Sequence, residues 1–589
     1  MSREDRRVLG RLNVVLRAEF SRSNWQRVFG IEGRTWLLFV LGLIASYFGW
    51  NLATTKPGYY RTVDAIVWEY SLFASFSLFV VALLYRFGQS LIKVAPRSIA
   101  LDSVGSIALL ASICILGMKQ LGGYDHSALI EAGWIQFSSL LPFKDYPCTI
   151  PPLLFIGDKF ALHLFGLKWS AFVLLMACFA IASFLVLSWQ LRLLAFGPLW
   201  AAVLAFVAEL GTCVICSFWW YNPVTSVICI IVFLSTLICL INPETIRNWI
   251  LLCISFTLLL VAKPNAWPCG ACLLVFLLGR NAGERVRGLA AIVSGVGLAA
   301  LICWTYGLNP LEVLQTYARI AHSRGNPFSI EVFSDYIGIE TRIMLWSVGI
   351  LTSVFVALLI SRRAELRRYW REYLCCIVVA GTSLVMVFTN YELKTSDLMP
   401  LVIAVAVVAY RPWSKRSFGS FGHVTTVTII VVFAVASSYW AGTRLRVRGV
   451  GQDLFFQSFP KREIESGFFA GLRTGPRLIL VLEQISRVLS HHPSAKVFFG
   501  PRLEFSYATF SQAPPAGLPI WWHSGTSFSV DDLPRIISSF EQDKFDLLIF
   551  MKNDYTRMPA AILEYKGRFY EEIPGYSELG VYVRKAPLE

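Results

Sequence analysis

Read for apolar runs near the 17 to 25 residues that cross a bilayer as a helix, the chain yields segments at 35–54, 70–86, 99–121, 164–187, 196–216, 222–241, 247–262, 265–279, 286–306, 343–361, 373–390, 397–410 and 421–441. The pair 247–262 and 265–279 is parted only by Lys263-Pro264-Asn265. Proline lacks a backbone donor and restricts the residue before it, so a break is expected there. Two spans and a tight re-entrant hairpin both fit that break. Beyond residue 441 the pattern changes to short β-type runs, "AKVFFG", "FDLLIF" and "GVYVRK", separated by "QAPPAGLP" and by helical stretches at 476–490 and 531–543. The expectation is a polytopic α-helical membrane protein of about 11–13 transmembrane helices, followed by a small α/β domain with enough chain for its own core. The predicted division is 1–34, a basic N-terminal segment; 35–441, the multi-pass region; and 442–589, the α/β domain.

Composition agrees: 56% of the 589 residues are hydrophobic and 15% charged. Residues 1–34 are basic and polar without a short apolar core and cleavage site, so a retained cytoplasmic segment is expected rather than a signal peptide. Alternating the segments from there places 24 Lys/Arg on the inner side and 11 on the outer before residue 442, with 18 in the tail. Short-loop bias of this kind sets orientation, so the chain is expected in the cell membrane with its α/β domain extracytoplasmic. The net charge of +15 is mostly an inner-side excess. It points to anionic lipid as a partner and away from nucleic acid. The 13 cysteines lie between Cys114 and Cys376, mostly within apolar segments. No disulfide framework follows, and neither Cys213/Cys216 nor Cys375-Cys376 is accompanied by histidine, so no metal site is assigned.

Candidate chemistry gathers in the outer loops. The loop 122–163 carries Asp125, His126, Glu131, Asp145, Tyr146 and Pro151-Pro152, and its stretch 127–141 has the pattern of a helix lying in the interface. An aspartate opening such a helix also serves as an N-cap. Lys263 sits in its proline-flanked break, where a lipid headgroup would lie; a snorkelling lysine fits the same position. Arg319 and Arg324 share the next outer loop with His322, and Glu392, Lys394 and Asp397 crowd a short one. Glu209 is an acid within a span, a candidate for lining a cavity or pairing with a base. "FWWYNP" offers Trp219, Trp220 and Tyr221, either as a sugar platform or as interfacial belt residues. "GLPIWWHSGTSF" suits a carbohydrate surface, or the burial of Trp521 and Trp522 in a core.

The stretch "YDHSALIEAGWIQFSSLLPFKDYPCTIPPLLFIGDKFALHLFG" resembles the first outer loop of the GT-C superfamily of integral-membrane glycosyltransferases, in the branch of protein O-mannosyltransferases and lipid A aminoarabinose transferases. The corresponding features are Asp125, the helix 127–141, Asp145-Tyr146, Pro151-Pro152-Leu153 and Phe165-Gly166. "VAKPNAWP" resembles that family's Lys-Pro loop and "TNYELKTSDLMPL" a later polar loop. The chain departs from the pattern in carrying His126 where Glu is common, and in having two apolar segments ahead of the motif-bearing one. The resemblance implies transfer of a sugar from a polyprenyl-phosphate donor to an acceptor hydroxyl, with the acceptor a glycan, lipid or protein. Asp125 would be the base, Asp145 an orienting group, and Lys263, Arg319, Arg324 and Lys394 the donor-phosphate contacts. A divalent cation is compatible with such a reaction, but no ligand spacing indicates one. A transporter or flippase for a lipid-linked or anionic substrate is the competing class. Its coupling residues would lie near the midplane, often in repeats, whereas here ionisable residues concentrate on one outer surface and no repeat is evident.

Overall fold

The computed structural model describes residues 97–119, 121, 125–138, 140–279, 281–323, 339–389, 395–410, 462–522, 527–552 and 558–585. The predicted segments 35–54, 70–86 and 421–441 lie outside them. The chain runs through α1 (Arg97–Gly117), α2 (Asp125–Phe137), α3 (Pro152–Phe165) and α4 (Ser170–Leu193). Next come α5 (Pro198–Glu209), which passes into one π-helical turn (Leu210–Val214), α6 (Tyr221–Ile241) and α7 (Ile246–Val261). A 3-10 helix (Pro264–Leu273) leads into α8 (Leu274–Leu277), then α9 (Ala282–Thr305) and α10 (Pro310–Ser323). Helices α11 (Ile339–Ser361), α12 (Arg363–Arg368), α13 (Trp370–Thr389) and α14 (Thr395–Tyr410) complete the helical part. Among the described residues five helices are long and apolar enough to cross a membrane: Ser98–Gly117, Ser170–Leu193, Tyr221–Ile241, Ala282–Thr305 and Trp370–Thr389. Helix α6 is the most buried of these. It packs against α4, α7, α13, α14 and the 3-10 helix.

Two expected spans are corrected. The run 164–187 becomes α4 at Ser170–Leu193, because α3 continues to Phe165 and stops at Gly166. Gly166 has φ +87, a conformation that costs glycine nothing, and its N–H returns to the carbonyl of Leu162. The run 265–279 is not an α-helix: it is ten residues of 3-10 helix with Pro268 inside, then a single α turn. Pro268, inside the stretch, withholds a donor and crowds the carbonyl four residues before it, which disfavours the i to i−4 ladder, whereas Pro264 at the first helical position is compatible with either helix. At ~2.0 Å rise per 3-10 residue and ~1.5 Å per α residue the stretch still reaches about 26 Å.

Ion pairs mark one end of the bundle. Arg192 at the end of α4 forms a two-pronged pair with Asp102 near the start of α1, at 3.1 and 2.9 Å. Arg287 of α9 pairs with Glu244 before α7 at 3.0 Å, and Arg371 of α13 pairs with Glu284 of α9. Lys263 lies instead beside the first turn of α6, whose last turn leads to Glu244. Helix α7 and the 3-10 helix therefore make two antiparallel passes over the length of α6 rather than a shallow hairpin.

The C-terminal part contains β1 (Arg462–Glu463) paired with β2 (Arg473–Thr474), then α15 (Pro476–His491), β3 (Val497–Phe499), α16 (Phe505–Thr509) and α17 (Leu533–Asp543). It finishes with β4 (Leu547–Met551), α18 (Ala560–Phe569), β5 (Tyr570–Ile573) and β6 (Leu579–Arg584). The sheet order is β3-β4-β6-β5, with β3 and β4 parallel and the remaining pairs antiparallel. Side chains alternate across a strand, and here the two faces serve different cores. Phe498, Trp522, Phe540, Phe545 and Leu548 form a cluster of their own. Val497, Phe499, Leu547, Ile549 and Val581 on the other face join Phe505 and Tyr507 in a cluster continuous with the helical bundle. Trp522 is thus a core residue, standing edge-on to Phe498, while Trp521 is half-buried.

Candidate functional site

The end of the bundle opposite the ion pairs carries α2, α3 and the turn between them, and the C-terminal part rests on it. Helix α2 begins at Asp125, two residues before the expected start, so Asp125 belongs to its first turn. Its side chain lies outside the described residues. His126 is buried, its ring 4.0 Å from that of Phe218 and 5.4 Å from that of Trp169, centroid to centroid. Trp169 is itself fixed, donating Nε1–H to the carbonyl of Gly117 at 3.0 Å.

Glu131, one turn and a half along α2, is only 3% exposed, and its Oε2 has no hydrogen-bond partner among the described residues. It borders a narrow crevice with Glu504, Tyr507, Leu518 and Trp522 of the C-terminal part. Burial first, and then the facing Glu504, holds its carboxyl well above the usual carboxylate range. Asp145 plays a local part: its Oδ2 accepts the N–H of Leu141 at 2.8 Å, closing the turn after α2. Tyr146 is buried and donates its hydroxyl to the carbonyl of Pro514 at 3.1 Å. Its phenol is pushed up by burial, with Glu131 the next cause.

Sequence reasoning missed Asp158. It lies on α3, is 0% exposed, and neither carboxyl oxygen has a hydrogen-bond partner among the described residues. Desolvation holds it well above the carboxylate range. Gly133 of α2 lets the helices meet there, since a Cβ at that position would lie 3.0 Å from the Cβ of Asp158. Lys159 stands next to it, half-exposed, so only the burial of one member separates an apparent ordinary surface pair from an interior acid.

Lys263 joins two motifs that the sequence kept apart. Its Nζ donates to Oδ1 of Asn222 at 2.9 Å and lies 4.9 Å from the ring centre of Tyr221, while its backbone N–H meets Thr225 Oγ1 at 3.5 Å. Residues 221 and 222 belong to "FWWYNP". The tryptophans of that motif are packing residues: Trp219 donates Nε1–H to the carbonyl of Leu154, and Trp220 is 1% exposed. Ring contacts continue from His126 to Phe218, from Phe218 to Trp220 at 6.2 Å and from Trp220 to Tyr221 at 4.3 Å. The lip at 125–126 and the ammonium of Lys263 are thereby joined by one line of aromatic side chains.

Of the remaining candidates, those among the described residues have other observed partners. Arg319 on α10 is 56% exposed and pairs with Asp532 of the C-terminal part at 3.4 Å. Glu209 sits where α5 passes into its π-helical turn and accepts Ser183 Oγ–H at 2.6 Å, so its observed partner is a hydroxyl and not the base considered from sequence. Asp397 is fully buried in the first turn of α14, where its carbonyl accepts the hydroxyl of Ser383. Arg324, Glu392 and Lys394 lie outside the described residues. Among the described residues no group of three His, Cys, Asp or Glu side chains is placed to hold a metal ion.

No protein-family model matches the chain, and no curated protein matches it in sequence. Among solved structures it is similar to ArnT from Cupriavidus metallidurans, a structure described as bound to undecaprenyl phosphate, at 14% identity and a TM-score of 0.44 over 83% of this chain and 98% of that one.

Proposed function

We propose that this chain is a membrane glycosyltransferase that moves a sugar from a polyprenyl-phosphate donor to an acceptor hydroxyl on the extracytoplasmic face, in cell-envelope glycan, lipid or protein glycosylation. The observation that carries the reading is the aromatic line from the Asp125-His126 lip to Lys263. It links, through buried packing residues, the helix turn to which the candidate base belongs with a held cation. The outer-loop motif supplies the reaction class by resemblance.

In the proposed step Asp125 takes the proton of the acceptor hydroxyl as its oxygen bonds to the anomeric carbon. The bond from that carbon to the phosphate oxygen breaks, and polyprenyl phosphate leaves as an anion. Because the leaving group is already a stable anion, one displacement with inversion needs no strong general acid. Lys263 would receive the phosphate charge, and Asn222 and Tyr221 are among the groups that hold its ammonium in place. Arg319, Arg324 and Lys394 remain proposed as further donor contacts, and Asp145 as a group that shapes the loop beside the acceptor.

The test is sugar transfer in membranes supplied with a panel of polyprenyl-phosphate sugars, comparing the unmodified chain with Asp125→Asn at matched expression. Transfer that vanishes in the variant supports the reading. Unchanged transfer would return Asp125 to capping, which asparagine performs equally well, and no transfer with any donor would bring the transporter class forward.

A further inference from the structure

The outer loop that carries the nominated residues is gripped by one stretch of the C-terminal part, residues 504–517. Ser127, two positions after Asp125, donates Oγ–H to Glu504 Oε2 at 2.6 Å and accepts the N–H of Phe505 at 3.0 Å. Ser127 is 1% exposed and Glu504 2%. Trp134 Nε1–H reaches the carbonyl of Gln512 at 2.8 Å, Tyr146 that of Pro514, and the N–H of Gly517 reaches the carbonyl of Asp145 at 2.7 Å. These bonds are spread along α2 and its following turn, so the stretch is a splint. Phe505 and Tyr507 place the same stretch in the apolar cluster shared with the bundle.

We infer that Glu504 is a positioning residue for the reaction proposed above: through Ser127 it fixes the first turn of α2, the turn to which Asp125 belongs. This rests on the glycosyltransferase reading for its kinetic half. Its structural half stands on the hydrogen bonds alone. A carboxylate bond to a hydroxyl in a dry seam is directional and strong. The first turn of a helix lacks intrahelical partners for its own N–H groups, so an outside anchor decides how firmly it is held. A reacting group displaced by about 1 Å costs on the order of a hundredfold in rate. The C-terminal part thus acts on the reaction without touching the reacting atoms.

The experiment uses the full chain in lipid nanodiscs with four variants. Glu504→Ala and Ser127→Ala remove the anchor. Glu504→Gln keeps a carbonyl oxygen for Ser127. Ser577→Ala breaks the bond from Gln484 at 2.7 Å, away from the seam, and reports general loosening of the C-terminal part. Two readouts are taken: hydrogen exchange at the amides of residues 129–133, which bond back to the first turn of α2, and steady-state transfer. The expected result is faster exchange at 129–133 in both Ala variants, with kcat reduced on the order of ten- to a hundredfold and donor KM changed by less than about twofold. Glu504→Gln is expected to recover most of both, and Ser577→Ala to disturb only exchange within 462–585. Exchange changes confined to 462–585 in Glu504→Ala, or a kcat loss no larger than that of Ser577→Ala at equal loss of thermal stability, would overturn the inference. If the unmodified chain transfers no sugar, the functional reading fails by itself, and exchange at 129–133 still decides whether Glu504 sets the start of α2.

Discussion

Helices α2 and α10 both meet the C-terminal part, and they meet it in opposite ways. Along α2 the contact is buried and hydrogen-bonded side chain by side chain, from Ser127 through Trp134 to Tyr146 beyond its end. Along α10, among the described residues, it is an ion pair, Arg319 to Asp532 at 3.4 Å, with the arginine 56% exposed. A dry contact fixes orientation, whereas an exposed pair is screened by water and salt and contributes little. Of the residues that sequence put forward for the same reaction, those on and after α2 therefore sit in a prepared setting. Lys263, held by Asn222 and Tyr221, resembles them more than it resembles Arg319.

That contrast sets the order of expected effects. Asp125→Asn at matched expression should lower transfer by a factor on the order of 10² to 10⁴, the usual contribution of a positioned base; a loss below about threefold would erase the distinction between the two helices. Lys263→Met should raise donor KM on the order of ten- to a hundredfold, as loss of a charge-assisted phosphate contact does. Asn222→Leu should follow in the same direction by a smaller factor, since the ammonium remains but is less well held. Binding of sugar-free polyprenyl phosphate to the two variants checks both.

Acidity offers a third comparison. Glu131 and Asp158 bind protons more tightly folded than unfolded, since burial raises both. Between their ordinary values, 4.5 and 3.8, and their raised folded values, the folded state holds the extra protons. The stability they contribute is therefore complete below the ordinary range and is lost as pH rises through the folded values. Thermal unfolding in nanodiscs should show a midpoint that falls with rising pH, and a flatter profile for Glu131→Gln with Asp158→Asn. Equal slopes in the variant and the unmodified chain would count against neutral acids in the loop. The smallest effect is assigned to Arg319→Ala, a change in KM of less than about twofold that shrinks further at high salt.

Much of the helical part was legible because apolar length is a one-dimensional signal. The segments 222–241, 247–262 and 373–390 fall within a few residues of α6, α7 and α13. The β-type runs at 497–499, 547–551 and 579–584 were equally plain. What hydropathy does not encode is helix type, so the 3-10 stretch read as an ordinary span, and the start of α4 moved because Gly166 ends the helix before it. In the candidate site, the acids of the 122–163 loop stood out by their unusual place beside apolar runs. Asp158 did not, since Lys159 beside it suggests a solvated pair and only packing at Gly133 takes one of them inside. Glu504 was out of reach for another reason: its partner Ser127 is 377 positions away, and no local spacing reports such a contact.

The 3-10 stretch between Pro264 and Leu273 also works as a length gauge. An α-helix of the same ten residues would be about 5 Å shorter. Such a contraction exceeds the reach of any one hydrogen bond, so it would draw Lys263 down and away from Asn222. Pro268, which spoils the α-helix, is in this sense what sets the height of the cation, and substitutions there, five positions from Lys263, should change donor affinity in step with how much α-helix they restore.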